Sequence, residues 1–211
     1  MVTGVPQSTP DKTVKTNGLV AIAGLALQAC ATTAPSPRQD TAVRMFVPFG
    51  PGRVLQPGVS IAERLDGRCF AESVSSEARP DAWRCMAGNR ILDPCFEGTV
   101  EGRTTLACAQ SPWESTVVLL ALTEPLPARR AGQLSSNDGR PWALELDDGS
   151  RCTLLGGATG AVAGMRVNYG CEGGHASVIG DVDRRPSRWK VFVIPRDGVT
   201  MEQRRVRAAW Y

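Results

Sequence analysis

Six cysteines between positions 69 and 171 constrain this chain more than any other feature, because cysteines that pair must meet in the fold. They are Cys69, Cys85, Cys95, Cys108, Cys152 and Cys171. Six cysteines allow 15 pairings. We favour the sequential pairing, Cys69 with Cys85, Cys95 with Cys108 and Cys152 with Cys171, since each pair then encloses roughly 13 to 20 residues that include turn formers. Closing a loop of about 15 residues stabilises a fold by about 3 kcal/mol.

A metal site is the alternative use of such a cysteine set. The sequence contains no Cys-x-x-Cys, and His175 is its sole histidine. Structural zinc sites require closer ligand spacings than these cysteines offer. The sequence therefore predicts disulfide bonds, with no metal and no cofactor.

The seventh cysteine, Cys30, ends the apolar run of residues 19–29. Lys12 and Lys15 precede this run, as in a secretory signal. The apolar core is too short to cross a bilayer, which takes roughly 20 apolar residues. Residues 27–30, Leu-Gln-Ala-Cys, resemble the lipobox of bacterial lipoproteins.

The resemblance covers residues 1–30 only and implies a cellular location rather than an activity. In the family, the cysteine thiol accepts a diacylglycerol, a peptidase cuts just before it, and the acylated product, carrying chains such as palmitate, anchors firmly in a membrane. It implies a signal peptide over 1–29, a lipidated Cys30 and a position on the extracytoplasmic side of the cell envelope. The alternative is an ordinary signal peptide cut elsewhere, with Cys30 merely nearby.

The rest of the chain divides by composition. Residues 30–41 lack apolar periodicity and fit a flexible tether. Residues 42–211 then form the body, which is long enough for one sizeable core or two small ones. Residues 124–141 are rich in proline, glycine and polar residues. They bridge strands of one domain, which we favour, or join two small domains.

The charge balance excludes some classes of partner. The chain carries 24 basic and 21 acidic residues, and removal of residues 1–29 takes away Lys12, Lys15 and Asp11. A body with so small a net charge is not typical of proteins that bind nucleic acid. We expect no nucleic-acid partner, and a membrane partner only through the lipid.

Strand patterns dominate the body. Residues 142–146 and 151–155 alternate around Asp148-Gly149, a strong hairpin pattern. A second hairpin is expected at 98–101 and 104–108, a covered strand at 115–122, and further strands at 165–171 and 189–194. A terminal strand is expected at 203–211, with Val206, Ala208 and Trp210 on one face. Helical patterns are limited to 59–65 and 79–84, so the predicted fold is mostly β, antiparallel and disulfide-bonded, with one or two short helices.

Residues that suggest catalysis are few. His175 lies among glycines and is expected in an exposed loop. Residues 156–164 are glycine-rich but lack the lysine and spacing of a phosphate-binding loop. Paired carboxylates can hydrolyse glycosides when held about 5 to 9.5 Å apart. The candidates Glu145, Asp147, Asp148, Asp181 and Asp183 are more typical of solvated turns, including one expected at 180–183.

Two basic clusters flank the tryptophans near the end of the chain. They comprise Arg184, Arg185, Arg188 and Lys190, and then Arg204, Arg205 and Arg207. They suit a solvated strand face, or contact with anionic lipid headgroups or envelope polymers.

We therefore expect a non-catalytic, membrane-anchored envelope lipoprotein that binds an envelope protein or polymer or serves a structural role. The alternatives are an envelope hydrolase that uses the carboxylates, and an inhibitor or ligand-sensing module with an exposed apolar patch around 156–164.

Overall fold

The computed structural model describes residues 40–129, 139–198 and 200–211. The strands in these residues are β1 Ala42–Arg44, β2 Ser60–Glu72, β3 Ala82–Ala87, β4 Arg90–Val100, β5 Arg103–Cys108, β6 Thr116–Leu122, β7 Ala143–Leu146, β8 Arg151–Leu154, β9 Ala161–Val162, β10 Met165–Cys171, β11 Ala176–Asp183, β12 Lys190–Pro195 and β13 Glu202–Trp210. Short 3₁₀ turns occupy Pro51–Arg53 and Glu172–Gly174. The predicted mostly β, antiparallel fold is confirmed.

The first sheet is a closed barrel of five strands, β2 to β6. Consecutive strands pair antiparallel, and a parallel pairing of β2 with β6 completes the ring. Gly67, on β2, lies so close to β3 that a Cβ atom there would overlap the backbone oxygen of Met86. The β4–β5 turn uses Glu101 and Gly102, both with positive φ, as in the two-residue turns that match strand twist.

The second sheet contains the remaining strands. Its antiparallel order runs β13, β12, β11, β10, β8, β7, and β7 pairs again with β13, so six strands close on themselves. The short strand β1 adds parallel to β13, and β9 adds to β10. Leu144, Leu146, Tyr169, Val178 and Val206 are buried in its core.

Each disulfide joins residues that lie directly opposite on neighbouring antiparallel strands. Cys69–Cys85 links β2 to β3 and Cys95–Cys108 links β4 to β5. Cys152–Cys171 links β8 to β10 in the second sheet. This is the sequential pairing that the sequence favours, and all six cysteines are buried in the cores.

The described residues belong to one compact unit, within which both sheets pack together. Segment 124–141 leads from β6 towards β7, although residues 130–138 lie outside the described part. Aromatic rings meet between the sheets: Trp142 is 5.3 Å from Phe46 and 6.0 Å from Phe96, measured between centroids. Trp113 and Trp210 form a second edge-on pair at 5.0 Å. These contacts place large apolar areas at the junction.

A buried arginine completes the junction. Arg79 Nε and Nη2 donate to the two carboxylate oxygens of Asp81 at 2.7 and 2.6 Å. Its Nη1 donates to the backbone oxygens of Phe46 at 2.6 Å and Tyr211 at 3.4 Å. The guanidinium also lies 4.7 Å from the ring centre of Phe96. Arg79 therefore ties the loop between β2 and β3 to the segment after β1 and to the residue after β13.

Both predicted helices are wrong. Residues 59–65 belong mostly to the 13-residue strand β2, and residues 79–84 lead into β3. Ile61 and Leu65 lie four positions apart, which fits a helix face, but two-residue alternation also places them together. The parallel pairing of β2 with β6, more than fifty residues away, decides between the two.

Two details of the strand predictions are also wrong. Val206 packs in the core of the second sheet, whereas Ala208 and Trp210 pack with Trp113 in a separate cluster. The β13–β7 register shifts between Val206 and Ala208, so the three residues do not share a face.

The turn expected at 180–183 is instead the end of β11. The hairpins at 142–155 and 98–108 and the strands near 116–122, 165–171, 190–194 and 203–210 are confirmed.

We predict that Arg79→Met lowers the free energy of unfolding by about 1–3 kcal/mol, because the backbone oxygens of Phe46 and Tyr211 lose a buried donor and the half-exposed Asp81 loses its ion pair. Urea unfolding followed by tryptophan fluorescence measures the change. The matched control is Arg68→Met on the same barrel, since Arg68 is exposed and surface substitutions change little. Equal midpoints for the two variants would contradict the role assigned to Arg79.

Candidate functional site

The predicted lipidation site, Cys30, lies outside the described residues, as do the signal peptide and residues 30–39 of the tether. The described chain begins at Asp40, ten residues after Cys30.

The five candidate carboxylates lie on the second sheet, and three of them are held by arginines. Glu145, on β7, is buried and forms an ion pair with Arg207. Asp183 accepts two hydrogen bonds from Arg185, at 2.8 and 3.0 Å. Asp148, in the β7–β8 turn, accepts a bond from the Ser150 N–H at 2.9 Å and lies 3.9 Å from Arg204. The other two, Asp147 and Asp181, are exposed.

The environments of Asp148 and Asp183 favour the ionised carboxylate. Hydrogen bonds from Arg185 lower the pKa of Asp183. Partial burial opposes the change at Asp148, but the hydrogen bonds from Ser150 and the charge of Arg204 still lower its pKa. A glycosidase needs one carboxyl group whose pKa is raised so that it can donate a proton. Asp148 and Asp183 have the opposite property.

His175 lies in an exposed loop after the Glu172–Gly174 turn, as the sequence predicts. It lines a shallow groove with Ser150 and Asp148. The backbone N–H of Ser150 donates to the Asp148 carboxylate, within the β7–β8 turn. Across the described residues, no group of three histidine, cysteine or acidic side chains is arranged to hold a metal ion.

The glycine-rich segment 156–164 forms a small exposed projection. Ala161–Val162 pairs with the start of β10, and Arg166 donates to Gly157 and Thr159. Its large apolar side chains are Val162, 40 % exposed, and the neighbouring Leu155, 38 % exposed. The segment is therefore held by hydrogen bonds of its own and offers little apolar area.

The basic clusters separate in the structure. Arg185 pairs with Asp183, and Arg204 pairs with Glu202 at 2.6 Å. Arg184 donates to the Gly139 carbonyl and lies over Trp189. Arg188 and Arg207, in contrast, come together with a residue that sequence reasoning missed, Arg44.

These three arginines line one groove of about 490 Å³, together with Asp40, Ala42 and Glu145. Backbone pairing builds it: β1 pairs with the end of β13, and Thr41 bonds to the loop before β12 through Ser187 and Trp189. Arg44 on β1, Arg188 on that loop and Arg207 on β13 thereby meet. No local pattern marks Arg44, because the other two arginines of the groove, Arg188 and Arg207, are more than a hundred residues away in sequence.

A second group missed from the sequence is the buried Asp93 on β4. It accepts hydrogen bonds from the Ser73 hydroxyl and, at 3.3 Å, from the Val74 N–H, and Arg84 lies 3.8 Å away. Burial raises the pKa of Asp93 and outweighs these contacts. The Ser73 hydroxyl in turn accepts bonds from the N–H groups of Ser75 and Ser76. Asp93 therefore fixes the turn that precedes Arg79.

No family model, curated protein or solved structure matches this chain. Among the residues that the structure describes, no helix has the length and apolar character needed to cross a membrane.

We predict that the stability of the parent relative to Asp93→Asn increases as the pH falls from about 7 towards 4. The pKa of Asp93 is raised in the folded state above 3.8, so the folded chain takes up this proton before the unfolded chain does. Urea unfolding of both proteins across this pH range measures the difference.

The control is Asp183→Asn, for which the sign is reversed. The folded-state pKa of Asp183 lies below 3.8. The parent therefore loses stability relative to this variant as the pH falls through about 4 and below. A flat difference for Asp93, or one with the sign of Asp183, would contradict the burial effect.

Proposed function

We propose that this chain is a lipoprotein of the cell envelope, anchored through Cys30 on the extracytoplasmic side, whose β body is a non-catalytic binding or structural module. The observation that carries the proposal is the use of the cysteines. All six in the body are consumed in three buried disulfides, which leaves Cys30 as the odd cysteine, at the position where the lipobox-like residues 27–30 place a lipid.

The disulfides support export. Disulfides persist in oxidising compartments and are rare where thiols are kept reduced. The half-cystines here are part of the cores, with Cys85, Cys95 and Cys152 fully buried. A chain that depends on three such bonds suits the outside of the cytoplasmic membrane.

The side chains of the body support a role without catalysis. Glu145, Asp148 and Asp183 pair with arginines. The buried carboxyl with a raised pKa, Asp93, is engaged by the Ser73–Ser76 turn. In the hydrolase alternative, a carboxyl with a raised pKa would have to face substrate, and Asp93 instead holds a loop.

We predict that Cys30→Ser abolishes acylation and releases the protein from membranes. A single acyl chain gives only marginal membrane binding, whereas two or more anchor stably, so loss of all of them removes the anchor. Metabolic labelling with a palmitate analogue, followed by fractionation of the bacterial cells, measures both effects.

The matched control is Thr32→Ala, which changes a residue two positions later and leaves residues 27–30 intact. It is expected to stay labelled and membrane-bound. Retention of Cys30→Ser in the membrane fraction at the level of the parent, or an unmodified chain that starts at Met1, would refute the anchor.

A further inference from the structure

The groove lined by Arg44, Arg188 and Arg207 carries an excess of positive charge. The Arg207 charge is matched by Glu145, with which it forms an ion pair. Within the described residues, Arg44 and Arg188 form no ion pair. The remaining acidic group in the groove is Asp40, which is exposed at its edge. Two guanidinium groups therefore face one exposed carboxylate.

The two unpaired arginines are positioned rather than free to extend into solvent. Arg44 lies over the ring of Trp210, 5.3 Å from the ring centre, and Trp210 is itself packed on Trp113. The Nε–H of Arg188 is buried and has no hydrogen-bond acceptor in the described part of the protein. A guanidinium stacked on an aromatic ring keeps its planar fork available for a phosphate group.

We propose that this groove binds the anionic phosphate headgroup of a lipid in the membrane that carries the Cys30 anchor. The inference rests on the proposed function, because the anchor brings the groove to the lipid. Nine residues lie between Cys30 and Asp40, and the ten residue steps between them span at most about 36 Å. An acylated Cys30 therefore keeps the lipid surface within this distance of Asp40, at the edge of the groove.

Tethering explains how two arginines suffice to bind a lipid headgroup. A link of this length converts a second contact into an intramolecular one, with an effective concentration in the millimolar range. An arginine near an anionic membrane surface strengthens binding about five-fold. Two such contacts are weak in free solution but are sufficient once the protein is anchored.

The tether favours a lipid over a soluble anion, because it keeps a membrane surface within reach of the groove. Val43 and Met45 flank Arg44 in sequence and are 57 % and 50 % exposed. They do not line the groove, since alternation along a strand directs them to the face opposite Arg44.

The test uses the acylated protein purified from membranes and reconstituted in neutral phosphatidylcholine vesicles or in vesicles that also contain phosphatidylglycerol. Hydrogen exchange of the amides of residues 41–46 is followed by mass spectrometry at low salt. We expect exchange to be at least about five-fold slower on the anionic vesicles. The double variant Arg44→Gln/Arg188→Gln is expected to remove this difference, as is high salt.

The matched control is Arg64→Gln/Arg103→Gln, which removes two exposed arginines from a groove of similar size on the first barrel. It is expected to retain the difference between vesicles. If the Arg188 substitution disturbs folding, Arg44→Gln alone serves, because Arg44 is exposed, and its expected effect is a loss of about five-fold.

Three outcomes would overturn the inference. Equal exchange on both kinds of vesicle, with Cys30 acylated, refutes the groove but leaves the anchor standing. Protection by inorganic phosphate on neutral vesicles assigns the groove to a soluble anion instead. An unmodified Cys30, measured by intact mass on the same sample, refutes the anchor and with it the lipid assignment.

Discussion

Arg79 is the interaction on which the assembly of the two sheets depends. A guanidinium taken out of water must recover its lost hydration from fixed acceptors, and Arg79 does so with the Asp81 carboxylate and the carbonyls of Phe46 and Tyr211. Phe46 follows β1, and Tyr211 follows β13, so the acceptors come from opposite ends of the described chain. Arg79 is therefore satisfied only when both sheets are formed and docked. The aromatic contacts of Trp142 add apolar area at the same place, but they do not carry this all-or-none requirement.

The disulfides act within the sheets, and the junction acts between them. Cys69–Cys85 and Cys95–Cys108 belong to the first barrel, and Cys152–Cys171 belongs to the second sheet. A cross-link restricts the unfolded chain over the loop that it closes, here 13 to 19 residues apart in sequence. Each bond therefore stabilises local pairing without fixing how the two sheets meet. Their relative arrangement depends on Arg79 and the rings around it.

The part of the fold that the sequence predicted is the part with local causes. Asp148-Gly149 determines its hairpin within ten residues, and the cysteine spacing already favours the sequential pairing. The hairpin expected at 98–101 and 104–108 is also local, although its turn is at Glu101-Gly102, one residue earlier than the expected Gly102-Arg103. The strand β2 was missed because residues 59–65 fit a helix as well as a strand, and its partner β6 is remote. The bulge near Ala208 is likewise invisible without β7. The groove was only half predicted: Arg188 and Arg207 stood out as basic clusters, whereas Arg44 joins them only through the pairing of β1 with β13.

Closure of both sheets has a consequence for a protein held at a surface. An open sheet edge invites pairing with other chains, and rings of strands remove such edges. Among the described strands, only β1 and β9 lie outside the two rings, and they are three and two residues long. The edge of β1 lies next to the tether, exposes Val43 and contributes Arg44 to the groove. Anchoring through Cys30 would keep this edge beside the membrane, so the same short tether would shield it from other chains and supply the lipid phosphates that its arginines suit.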